Sequence, residues 1–267
     1  MLRKLMKHEF RATGRIMLPL LLILLVTAVG VNLSTRGLLF TEHEILELLG
    51  GLLAFAFIIA IAAVCIMCVA LMILRFYRNL LRDEGYLMRT LPVSVHQQVW
   101  AKLLVSAVWF AATVLAVVLA MVIAAFDVQM IDTYFSVFSQ VLDQAFAQYE
   151  LDLAAYAAEL IVLLLLANCA VCLRIYSALA IGHSFANHKL LWSVAVYFGI
   201  SLVLEVLDSL LTMALGQTTV LERLEFSLST EMALHAALAA GIAGALVGCI
   251  VFDFLTVFFL KNRLNLE

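Results

Sequence analysis

The sequence predicts an all-α integral membrane bundle of six transmembrane helices, and three observations carry that prediction. Of the 267 residues, 66% are hydrophobic and 13% charged, too little charge to cover the surface of a soluble domain of this size. The mean hydropathy is +1.11. Apolar runs of roughly 20 residues or more recur along the chain, each long enough for a helix to cross about 30 Å of hydrocarbon, and only two prolines interrupt them. Residues 1–267 read as a single membrane domain.

Residues 1–15 form the first element. Leu2, Leu5, Met6 and Phe10 share one helical face, and Arg3, Lys4, Lys7 and Arg11 surround the other. That is the pattern of an amphipathic helix lying in a headgroup layer; the plainer alternative is a basic leader that only sets orientation. Gly14 is expected to let the chain turn into the first span, Ile16 to Leu33. This run is too long for a signal-peptide core and lacks a small-x-small cleavage site, so it is expected to stay attached. The second span is Gly51 to Leu74.

A polar island follows over residues 75–98. Within it, RDEGYLMRTLPVS runs from Arg82 to Ser94, with Leu80, Leu81, Leu87, Met88 and Leu91 making an apolar side. Gly85 interrupts the helical run, and Pro92 ends it by disfavouring helical geometry at the residue before it. Ser94 and Gln97 have the spacing of a capping box for the next helix. A short bounded helix or helix pair is expected here, with a solvated loop as the bland alternative.

The third span is Trp100 to Phe126. Across residues 127–153, Ile131, Tyr134, Phe135, Phe138, Val141, Leu142 and Phe146 recur at helical spacing, opposite Asp132 and Asp143. A helix lying on the outer surface is expected, or a re-entrant segment. Spans four to six are Ala154 to Ile181, Leu190 to Leu215 and Ala233 to Leu260.

Lys and Arg set orientation. Arg3, Lys4, Lys7, Arg11 and Arg15 precede the first span. Arg75, Arg78, Arg82, Arg89 and Lys102 surround the second loop, Lys189 lies in the fourth, and Lys261 and Arg263 follow the last span. The opposite loops hold Arg36 and Arg223 and are otherwise acidic. A multi-pass protein of the plasma membrane with both termini cytoplasmic is expected.

Now placed between spans two and three on the cytoplasmic side, RDEGYLMRTLPVS resembles the acidic, glycine-centred, proline-ended segment in the first cytoplasmic loop of membrane (permease) subunits of ATP-binding-cassette exporters of the second permease type. Tyr86 stands where that family often carries threonine. The amphipathic start MLRKLMKHEFRATGRIMLP and the six-span plan are also similar to the family. The resemblance implies that the 75–98 loop holds a coupling helix, and that Asp83, Glu84, Gly85, Tyr86 and Leu87 dock on a separate ATPase subunit. It also implies a second permease copy, as a homodimer or a heterodimer.

The chain has no Gly-x-x-x-x-Gly-Lys-Ser/Thr phosphate loop. ATP and Mg are therefore expected on the partner ATPase, with no cofactor in this chain and no enzymatic activity of its own. Membrane lipid is an expected partner and nucleic acid is not. Two other readings stay open: a secondary transporter or channel, since a few ionisable groups fall inside spans, and an intramembrane enzyme, although no G-x-S-x-G elbow or H-E-x-x-H helix occurs.

Cys65-Ile-Met-Cys68 and Cys169-Ala-Val-Cys172 have the spacing of zinc ligands. Packing is the favoured reading, because a thiolate site would carry net charge into hydrocarbon; no metal is expected. Arg174 and Asp253 each lie about 8 residues from the cytoplasmic end of their span, roughly 12 Å deep at 1.5 Å per residue, and are candidates for an intramembrane ion pair. In the sixth span Ala236, Ala240, Gly244 and Gly248 repeat every four residues, with Ala233, Ala237, Gly241 and Ala245 beside them. This strip of small residues is expected to admit a close helix of the same chain or of a second copy.

Overall fold

The structure is a computed structural model that describes residues 2–40, 44–81, 85, 93–127, 131–149, 153–185, 187–217 and 230–263. The elements among these residues are all helical. They are α1 (Leu2–Phe40), α2 (Glu44–Phe76) with a π-helical turn at Tyr77–Leu81, α3 (Val95–Ala125), α4 (Ile131–Tyr149), α5 (Leu153–Gly182), α6 (Lys189–Gln217) and α7 (Thr230–Asn262). Six are long and apolar enough to cross a membrane, over Arg3–Thr35, Leu48–Leu81, Val95–Ala125, Ala154–Gly182, Lys189–Leu210 and Met232–Asn262. The protein is thus a helical, multi-pass membrane protein.

The chain divides into two compact units. In the first, residues 1–75 and 100–136, α1 runs antiparallel to α2: Gly30 faces Leu53 at one end, and Glu9 meets Arg75 at the other. Parallel to α1 runs α3, with Lys102 opposite Glu9, Trp109 opposite Thr13, and the Ala124 and Phe126 carbonyls receiving Asn32 Nδ2. Leu24, Ala28, Val64 and Ala120 form the middle of this three-helix core, and Met17, Cys68 and Leu71 a second cluster with Trp109.

Helix α1 is 39 residues long, about 58 Å at 1.5 Å per residue and far more than the hydrocarbon thickness. It continues without a break through Gly14, so the turn expected there is not made. Gly14 is buried instead against Trp109, which an added Cβ would meet at 3.4 Å. The glycine thus admits an indole. Glu9, Thr13, Met17, Leu24 and Ala28 make one buried stripe along α1, which is why the amphipathic start and the apolar span share a single helix.

In the second unit, residues 76–99 and 137–267, α5 and α7 run parallel. His235 meets Glu159, an added Cβ on Gly241 would meet Leu163, and one on Gly248 would meet Ala170, each pair advancing along both helices together. Helices α5 and α6 form an antiparallel hairpin. Its tip is tight: an added Cβ on Gly182 would collide with the Ser193 backbone, and His188 takes φ 51°, the left-handed conformation of a sharp helix-to-helix turn. The amphipathic α4 leaves Tyr134, Phe135, Val137, Phe138 and Val141 exposed.

Candidate functional site

The most charged buried contacts lie where α2 and α3 flank the polar island. In the first unit Glu9, 7% exposed, accepts hydrogen bonds from Lys102 Nζ at 2.7 Å and from Arg75 Nε at 3.0 Å, with Arg75 Nη2 at 2.8 Å. Lys102 is itself 5% exposed. One carboxylate on α1 therefore holds the last turn of α2 and the second turn of α3. One turn along, Thr13 Oγ1 donates to the Glu9 carbonyl at 2.8 Å and accepts from Trp109 Nε1 at 2.7 Å. Charges this deeply buried persist only when paired and hydrogen-bonded, and here the hydrogen bonds also fix the entry and exit of the island.

In the second unit the chain leaves α2 through the π-helical turn and packs on the end of α5. Phe76 stacks on Tyr176 with ring centroids 3.9 Å apart and planes 6° from parallel, and the Tyr77 ring meets His183 edge-on at 5.4 Å. Leu80 and Leu81 are buried. His183, beside the hairpin tip, holds Nδ1 2.8 Å from the Leu179 carbonyl; a carbonyl only accepts, so Nδ1 carries the proton. Burial holds this imidazole below its usual pKa, opposed by the Leu179 hydrogen bond. At the far side of the island, Gln97 N donates to Ser94 Oγ at 3.2 Å, the N-cap bond that the spacing predicts. His96 Nδ1 then lies 3.2 Å from Asp253 Oδ2 on α7.

Of the residues expected to dock an ATPase, Gly85 is helical and buried; Asp83, Glu84, Tyr86 and Leu87 lie outside the described residues. Arg174 and Asp253 have different neighbours from the expected ones. The register of α5 and α7 does set them at similar levels, but Asp253 faces His96, while Arg174 Nη2 donates to Tyr197 Oη at 3.2 Å, with its guanidinium carbon 5.2 Å from the Tyr197 ring centroid. The small-residue strip of α7 is split. Gly248 and Gly241 face α5, whereas Ala236, Ala240 and Gly244 are exposed and an added Cβ on Gly244 would meet nothing within 4 Å. A row spaced by four drifts around the helix, so its members cannot all face one neighbour.

Glu9 escaped the sequence reading and Lys102 entered it only as an orientation charge, although each carried a further signal. Glu9 is the one acidic residue in the first 40, set in a basic leader, and Lys102 falls just inside an apolar run. A second such contact joins α5 to α7: His235 Nδ1 lies 2.9 Å from both Glu159 carboxylate oxygens, with the Tyr156 ring stacked on the imidazole at 4.2 Å. The cysteines form no disulfide. Cys172 Sγ is 4.0 Å from Asn168 Oδ1, Cys249 Sγ is 3.6 Å from the Leu166 carbonyl, and among the described residues no group of His, Cys, Asp and Glu is arranged to hold a metal ion. No protein-family model, curated protein or solved structure matches the chain.

Proposed function

We propose that this chain is the permease subunit of an ATP-driven exporter, inserted in the plasma membrane with both termini in the cytoplasm. It forms the translocation pathway with a second permease copy and takes its energy from a separate ATPase. The observation that carries this reading is the Glu9 cluster. Arg75 leads into the 75–98 segment and Lys102 follows it, and both are tied to the same buried carboxylate. A segment that receives a push from a partner needs firm ends, because a slack end would absorb the displacement instead of passing it to the spans. In this reading RDEGYLMRTLPVS is the docking element, its acidic residues meeting the ATPase.

The test is purification in mild detergent from the native host, followed by identification of the chains that remain bound. A stoichiometric ATPase with a phosphate loop is expected. A chain that purifies as a lone oligomer and conducts ions when reconstituted sinks the exporter and supports the channel reading.

A further inference from the structure

Among the described residues Arg174, unlike Lys102 and Arg75, pairs with no carboxylate. It lies in the apolar stretch Ala154–Gly182, 8 residues before the end of α5 and about 12 Å along the helix from it. Its partner is the neutral Tyr197, through the 3.2 Å hydrogen bond to the phenol oxygen and the contact with the ring. None of the ion pairs among the described residues includes Arg174, and its Nε is buried without a hydrogen-bond partner. A guanidinium cannot discharge by losing its proton. A lysine in that place could become neutral; an arginine stays charged and calls for an anion.

The surroundings say what kind of anion. Tyr197 holds the guanidinium part-way down the helix, which restrains it from snorkelling to the headgroup layer. The side chain is half-buried and so remains within reach of a ligand. On either side of it the surface is apolar: Val171 of α5 is 44% exposed, and Val194 and Phe198 of α6 are 56% and 66% exposed. An anionic head at Arg174 would therefore have its tail against aliphatic and aromatic side chains.

We propose that Arg174 and Tyr197 form a binding site for the phosphate or carboxylate head of an anionic amphiphile, the tail lying along Val171, Val194 and Phe198. Guanidinium N–H groups pair with the oxyanion, and Tyr197 sets the depth at which they do so. That this amphiphile is also the exported cargo rests on the transport reading above; the binding site does not.

The experiment is native mass spectrometry of the full chain, delipidated in detergent and offered equal amounts of phosphatidylglycerol and phosphatidylcholine with identical acyl chains. Wild type should retain phosphatidylglycerol over phosphatidylcholine by about tenfold, the scale of one charge-assisted contact. Arg174→Gln should lose most of that preference. Lys261→Gln, which removes an exposed cation near the end of α7, should keep it. Equal retention of the two lipids by wild type overturns the proposal without any variant, and so does a preference that survives in Arg174→Gln. Arg174→Lys, whose ammonium a bound phosphate holds in the charged form, should keep part of the preference, which separates loss of the cation from loss of fold. Excess inorganic phosphate distinguishes the two sources of the anion: phosphatidylglycerol that stays bound supports the amphiphile, and its displacement reduces the site to one for free anion. A wild-type preference for phosphatidylglycerol in a chain that binds no ATPase would leave this site standing and sink the exporter.

Discussion

At the scale of single residues, the polar groups that matter are those whose neighbours neutralise them. Glu9 sits between two cations, one of them buried as deeply as itself. Glu9→Gln keeps the shape of the side chain but leaves Lys102 as an uncompensated buried charge, a change that costs about 3 to 5 kcal/mol in comparable pairs. Thermal unfolding of the purified chain should show that loss as a markedly lower midpoint. Adding Lys102→Met removes the stranded ammonium and should recover much of it, so the double variant should be more stable than Glu9→Gln alone. Strict additivity of the two losses contradicts the pairing. Arg75 contributes less, because its side chain is 29% exposed and water already screens it.

At the scale of elements, the spans were legible because a continuous apolar run of helix length has few other uses; each span read from the sequence overlaps a helix of the structure. Which face of each helix packs was not legible. In lipid, both the packed and the lipid-facing sides are apolar, so the periodicity that marks a buried stripe in a soluble helix is absent. Helix α1 shows the exception: its polar start made one face visible, and Glu9 and Thr13 continue into the buried row of Met17, Leu24 and Ala28. The glycines show the rule. Gly244 looked like part of a packing strip, and an added Cβ there meets nothing within 4 Å, while Gly182, which no periodicity singled out, lies against the Ser193 backbone of α6. Gly182→Ala should therefore disrupt the hairpin, because the new Cβ would meet the backbone of Ser193 rather than a side chain able to move aside. A loss of more than about 2 kcal/mol, or failure to accumulate in the membrane, is expected. Gly244→Ala should stay within about 0.5 kcal/mol of wild type. Equal effects of the two substitutions, read by membrane abundance and thermal unfolding, would contradict the hairpin geometry.

At the scale of the whole molecule, what the sequence adds is an expected direction and an expected partnership. The arginine and lysine asymmetry predicts Ser94 and Thr133 on opposite faces of the membrane. Single cysteines at those positions in a cysteine-free chain should thus be labelled by an impermeant reagent from opposite sides, Thr133 in intact cells and Ser94 only after the cytoplasm is opened. Labelling of both in intact cells breaks the six-span topology. The docking role of RDEGYLMRTLPVS came from a resemblance of short motifs, and the helix ends to either side of it are held by the Glu9 cluster. The direct test is Glu84→Lys: if the segment docks as proposed, the substitution replaces an attraction with a repulsion at that contact, worth about 2 to 5 kcal/mol of association. Glu84 lies outside every span read from the sequence, so insertion should be unaffected. The measurement is paired, comparing membrane abundance of the variant with the ATPase it retains through purification. Normal abundance with the ATPase lost is the result expected of a docking element; normal abundance with the ATPase and transport unchanged contradicts it.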